Sequence, residues 1–321
     1  MTFIFRFSFN STTMKKIVLL LVSLNISVFI PFTNAICSIN DDDGFKSLKC
    51  DHSSLDEIES SREKFISNIF ITLSKIPQIR DHTFLHFGSI VKSLSLQNCE
   101  IVEIATHAFA SLNNLQKLSL NNNNISHVYF EWFYDTPNLK ELDLSFNKIK
   151  NIKSTVFQYL YNLRNLNLNN NQISCLRPDD LKPMKNLEKI RFDGNSLQFT
   201  CRGKLTRWLR DRGNQYTSEG DGFKYREDFL DSLIWKCDID RQIADSELLM
   251  KECVFLNLYN QLQTALVTSC SFPSSASECV NERSSLVRCI QESGNGNINN
   301  GEAVRKLLLA LRSGSKTPRY I

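Results

Sequence analysis

The chain has 321 residues, with 38 Lys and Arg against 34 Asp and Glu, and 42% of its residues are hydrophobic. That is enough apolar material for a sizeable core, and the charge is too evenly balanced for broad electrostatic attraction to nucleic acid or anionic lipid. All ten cysteines lie after residue 35, the usage expected where oxidised pairs persist.

Lys15 and Lys16 precede an apolar run from Ile17 to Ile30, followed by Pro31, Phe32, Thr33, Asn34 and Ala35. Small residues at Thr33 and Ala35 suit signal peptidase, so residues 1–35 read as an export signal, with Met14 as an alternative start. The run has 14 residues and contains Asn25, short of the roughly 20 apolar residues that a spanning helix needs. Cleavage after Ala35 would remove Arg6, Lys15 and Lys16 and leave 35 cations against 34 anions. A secreted, nearly neutral protein without stable membrane insertion is therefore expected. In residues 36–65, Cys37 and Cys50 bracket the polar segment SINDDDGFKSLK, a short stapled cap.

Beyond residue 65 the chain is periodic. Leu94, Leu118, Leu142, Leu166 and Ile190 recur every 24 residues; Leu96, Leu120, Leu144, Leu168 and Phe192 follow two later, and Ile101, Ile125, Ile149, Ile173 and Leu197 seven later. A period of this kind means a solenoid, in which each unit buries its apolar side against its neighbours. Asn123, Asn147, Asn171 and Asn195, with Cys99 at the equivalent place, are expected to bond backbone groups where each coil leaves its strand. Phe109, Phe133, Phe157 and Leu181 form a further apolar row, and Leu115, Leu139, Leu163 and Leu187 another.

The stretch LSLNNNNISHVYFEWFYDTPNL and its neighbours resemble the typical extracellular class of leucine-rich repeats, over residues 66–195. The resemblance implies an α/β solenoid, a horseshoe with capped ends and a concave sheet of parallel strands. An earlier copy, with a one-residue slip, contains Ile69, Ile71, Ile76, Ile79, Phe84 and Phe87, and brings the expectation to about six coils, a sheet on the order of 25 Å across. The family's N-terminal cap often carries four cysteines where this chain has two. Residues 196–240, beginning NSLQFTCRGKLTRWLRDR, resemble the family's C-terminal cap, with Leu205, Trp208 and Leu209 on one helical face. Ser196 replaces the usual Pro and a single Cys the usual pair. The resemblance implies a Cys201–Cys237 bridge, with Cys175 as a competitor for Cys201 and Cys99 as a buried free thiol.

Residues 241–292 read as a cysteine-rich helical hairpin. Its first helix carries Leu249, Cys253, Leu256, Leu258, Leu262 and Leu266 at helical spacing, and its second carries Cys279, Leu286, Cys289 and Ile290. Cys253, Cys270, Cys279 and Cys289 allow three pairings that spacing leaves open. Capped repeats followed by WKCDID and a cysteine-bearing helical segment are similar to the secreted leucine-rich-repeat immune proteins of mosquitoes, which pair through a long coiled coil; here the tail offers a shorter route to a homo- or heterodimer. Residues 293–321 read as a linker and a basic terminal helix with Val304, Leu307, Leu308 and Leu311 on one side, either folded onto the hairpin or presented to a partner or membrane surface.

No catalytic, cofactor or metal residues are expected. His82 and His86 lack a third ligand, His82 and His107 sit at equivalent places in adjacent coils, and no phosphate loop or zinc-finger spacing occurs. Asn124-Ile125-Ser126 is a glycosylation sequon. Side chains alternate along a strand, so Lys117, Ser119, Glu141, Asp143, Phe146, Asn165, Asn167, Lys189, Arg191 and Asp193 are expected to line the concave, protein-binding face. The leading expectation is a recognition or immune-type adaptor with protein partners and no nucleic acid. The alternatives are a structural or adhesive matrix component and a secreted inhibitor or effector.

Overall fold

The computed structural model describes residues 36–42, 45–59, 65–216 and 224–269. The leader, Cys270, Cys279 and Cys289, the second helix of the tail hairpin and the terminal helix lie outside these described residues.

One sheet dominates. Its strands are β1 (Ile36–Asp42), β2 (Phe45–Asp51), β3 (Ile66–Thr72), β5 (Ser93–Gln97), β7 (Lys117–Ser119), β8 (Glu141–Asp143), β9 (Asn165–Asn167) and β10 (Lys189–Arg191), in that spatial order. A small second sheet pairs β4 (Gln78–Ile79) with β6 (Glu103–Ile104). β1 and β2 form an antiparallel hairpin, and every later neighbour in the main sheet is parallel. The 24-residue period becomes register: Leu94 pairs with Leu118, Leu118 with Leu142, Leu142 with Leu166, and Leu166 with Ile190. The slip in the earlier copy is also present, since Ile69 pairs with Leu94 and Ile71 with Leu96.

Behind the strands the apolar rows fuse into one core running from Leu48 to Leu209. Phe84, Phe109, Phe133 and Phe157 are almost fully enclosed, and the Phe84 and Phe109 rings stack with centroids 6.2 Å apart. The chain returns from each strand through short helical turns, among them 3-10 turns at Leu85–Ile90 and Phe130–Phe133, α2 (Ser154–Tyr159) and α3 (Pro178–Leu181), following α1 (Leu55–Glu59) near the N-terminus.

The asparagine row bonds adjacent coils. Asn147 Nδ2 donates to the carbonyls of Leu120, Leu144 and Ser145, while its Oδ1 accepts from the Ile125 N–H at 3.0 Å. Cys99 takes the same place in its coil. Its thiol faces the Ile71 and Gln97 carbonyls at 3.5 and 3.3 Å, as the Asn amide does in other coils. On the acceptor side the Ser74 backbone N–H faces the same sulfur, and the Ile76 N–H bonds the Cys99 carbonyl at 3.0 Å. Burial pushes the Cys99 thiol up to about 11, which keeps the proton on sulfur and the donor intact.

Beyond the repeats come α4 (Phe199–Asp211), α5 (Lys224–Cys237), α6 (Arg241–Asp245) and α7 (Glu247–Ser269). Leu205 and Leu209 on α4 close the end of the repeat core, with Trp208 half-buried beside them. The first turn of α4 has no side-chain cap of its own; the Glu247 carboxylate supplies one, accepting the Phe199 and Thr200 N–H groups at 3.0 and 2.9 Å. Arg202 and Asp231 form a buried pair at 2.5 Å that ties α4 to α5. A second apolar cluster joins Phe199, Leu233, Ile234, Met250, Val254 and Leu258.

Two expectations for this region are corrected. Cys201 bonds Cys175, with Cα atoms 5.5 Å apart, and Cys237 bonds Cys253 at 5.9 Å; no Cys201–Cys237 bridge forms, and Cys253 does not pair within the tail. Cys201 opens α4 directly over the coil that carries Cys175, where the Leu176 N–H reaches its sulfur. Cys237 ends α5 against α7, where Asn257 Nδ2 lies 3.1 Å from its sulfur. On α7 the buried stripe is Met250, Val254 and Leu258, while Leu249 and Leu256 are exposed. The helix is apolar on several faces, so its contact with α5 selects the stripe. The remaining disulfide, Cys37–Cys50, spans directly paired residues of the β1–β2 hairpin.

Digestion without reduction should recover Cys175–Cys201 and Cys237–Cys253 linked peptides, with Cys99 alkylated only after unfolding. A Cys201–Cys237 peptide would refute the helical packing described above. Asn147→Ala strands one N–H and several carbonyls, and should cost about 3 kcal/mol, read as a lower urea midpoint.

Candidate protein-binding face

Each strand leucine points into the core, so its two neighbours point outward. On successive coils these neighbours are Ser93 and Ser95, Lys117 and Ser119, Glu141 and Asp143, Asn165 and Asn167, and Lys189 and Arg191. They line a shared depression of about 370 Å³ on the outer face of the sheet. Phe70, Ser93, Ser95 and Gln97 also border it and were not among the expected face residues. The 24-residue alignment, carried one coil toward the N-terminus, would have included the two serines.

The charges are partly satisfied within the face. Lys117 Nζ lies 3.1 Å from Glu141 Oε1, and both side chains are exposed. Asp143 Oδ1 accepts the Ser145 N–H at 2.9 Å and its hydroxyl at 2.6 Å. Asn167 Oδ1 accepts the Asn169 N–H at 3.2 Å, which leaves its NH2 group to donate outward.

Two expected face residues lie just past the strands and not on them. Asp193 is buried, with its N–H donating to Asn169 Oδ1 at 2.8 Å; it lies past the end of β10, where the chain has begun to turn inward. Phe146 is not on a strand. It follows β8 in the turn, with φ at 54° and 54% of its surface exposed. The same place in other coils is left-handed too, at Leu73, Asn98, Asn122, Asn170 and Gly194, and Leu73 is likewise exposed. Asparagine and glycine tolerate that conformation and phenylalanine does not. From Asn98 to Gly194, an aligned row of Asn and Gly interrupted by Phe was visible in the sequence as a left-handed position; Leu73 extends it into the slipped first coil.

Away from this face, the His82 and His107 rings stack at 5.7 Å, with Asp81 3.7 Å from His107 Nδ1. His86 does not join them, because its ring packs on Phe87. Among the described residues no group of three or more His, Cys, Asp or Glu is placed to hold a metal ion, and no helix is long and apolar enough to cross a membrane. Asn124 is partly exposed, and its backbone N–H donates to the Ile101 carbonyl at 2.8 Å.

A family model described as leucine-rich repeat matches residues 67–125, 89–149 and 137–197. No curated protein matches the chain in sequence. Among solved structures it is similar to a leucine-rich-repeat protein of Leptospira interrogans, with 23% identity, 48% of this chain and 37% of that one covered, and a TM-score of 0.42. It is also similar to TLR13 in a complex with ssRNA13, with 26% identity, 50% and 23% covered, and a TM-score of 0.44. The chain thus spans 37% of the first of these and 23% of the second. The family match and the in-register parallel sheet together make residues 67–197 a leucine-rich-repeat solenoid domain.

Proposed function

We propose that this chain is a secreted, non-enzymatic recognition protein of the innate-immune adaptor kind, binding a protein partner through the outer face of its repeat sheet. The observation that carries this reading is Phe146. An ordinary side chain held in the left-handed region costs about 1–2 kcal/mol, and a ring left 54% exposed recovers little of that by packing. Strain without a structural return is characteristic of functional positions, and aromatic side chains are enriched in protein–protein interfaces.

Secretion is supported by three disulfides among the described residues and by the charged, apolar and small-residue order of residues 15–35. In that setting Asn124 is a glycosylation site. Leu248 and Leu256, 66% and 61% exposed on α7, supply apolar surface for pairing with a second chain, as a homo- or heterodimer.

Affinity capture from the fluid in which the native protein circulates, followed by binding assays on the captured partner, tests the face. The combined variant Glu141→Ala, Asp143→Ala, Phe146→Ala should weaken binding about tenfold or more, and unchanged affinity would reject the face. Phe146→Asn places in this coil the residue its neighbours use. It should raise stability by about 1 kcal/mol while weakening partner binding, and a lower urea midpoint would show that the ring contributes to the fold.

A further inference from the structure

The outer face carries its charge in a definite order. β5 presents the Ser93 side chain, with Ser95 buried beside it, and β7 and β8 share the Lys117–Glu141 pair, which neutralises itself. Asp143 on β8 then remains as a carboxylate whose bonds go to Ser145 alone, with no cation within ion-pair distance among the described residues. Two strands on, Lys189 and Arg191 are half-buried cations with no carboxylate at ion-pair distance among the described residues. Arg191 Nε is buried without a hydrogen-bond partner. Asp193, the nearest acid along the strand, is turned into the protein and already engaged. Between these poles β9 offers the Asn167 amide, oriented to donate.

Parallel strands lie about 4.8 Å apart, so the open carboxylate on β8 and the open cations on β10 are separated by about 10 Å. A lone anion would answer only the β10 end. A polyanion crossing the strands would set its next charges over Asp143 and Glu141, and like charges brought together on a binding face repel. What answers both poles is a protein surface with one acid and one base at that separation. We infer that the partner presents a carboxylate over Lys189 and Arg191 and a cation over Asp143, about 10 Å apart. This deepens, and rests on, the reading of the face as a protein-binding surface.

The test uses alanine-based helical peptides with two charges seven residues apart, which places them about 10.5 Å apart on nearly one side of the helix. The peptides carry Lys and Glu, Glu and Glu, or Lys and Lys, and a single-stranded RNA oligonucleotide is assayed beside them. The full-length protein should bind the Lys/Glu peptide tightest, by about fivefold over the others, and should not bind the RNA. Lys189→Glu with Arg191→Glu makes the face acidic from β8 to β10 and should move the preference to Lys/Lys. Asp143→Lys should independently move it to Glu/Glu. Tightest binding of Glu/Glu or RNA by the unaltered protein would overturn the inference, as would an order that neither variant changes. Ser119→Arg fills the centre of the depression and separates the two failures. If no peptide binds, or if Ser119→Arg leaves binding untouched, the face is not a protein-binding surface and the inference falls with it. If Ser119→Arg blocks binding but the order ignores charge, the inference alone is wrong.

Discussion

The structure depends on stacking each coil on the next with the asparagine side chain between them. A single residue such as Asn171 bonds the carbonyls of Leu168 and Asn169 in its own coil and of Leu144 in the coil before, and accepts the Ile149 N–H. Four polar backbone groups that would otherwise be buried unpaired are satisfied by one amide, and the same bonds hold the leucines in register. Stability in such an array is a sum of neighbour terms, so each coil is secure only while both neighbours are present.

That dependence transfers the difficulty to the two ends, where a sheet edge would otherwise be open to other chains. At the start, the β1–β2 hairpin covers β3, with Cys37 and Cys50 joined across it. At the finish, Gln215 takes the place of a further strand beside β10, exchanging backbone bonds with Ile190 and Glu188. Tyr216 stacks on Phe192 at 6.2 Å, one 24-residue step along the same apolar row. The Cys175–Cys201 bridge then fastens the last coil to α4, and the buried Arg202–Asp231 pair fastens α4 to α5. Removing one partner of such a pair leaves an isolated buried charge, a large cost.

The outer face is the part of each coil that the ladder and the core do not constrain. Its residues can vary without disturbing the leucines behind them, and here they vary into a neutral end, a centre with one ion pair and one open carboxylate, and a cationic end. Phe146 is a place where this freedom works against the fold, as Leu73 is in the first coil, because an apolar side chain stands where the backbone suits asparagine or glycine.

The sequence by itself determined the 24-residue register, the inward rows, the asparagine ladder and most of the outward face, because spacing along the chain maps directly onto stacking when each coil repeats the last. The tertiary structure alone decided the pairing of Cys201 with Cys175, the burial of Asp193, the use of Met250, Val254 and Leu258 on α7, and the capping of α4 by Glu247. Cys201, Glu247, Met250, Val254 and Leu258 lie beyond the last repeat, so their contacts are set by which helical surfaces meet there and not by the period. Spacing left Cys175 and Cys237 both open as partners of Cys201, and only the placement of α4 over the last coil chose between them.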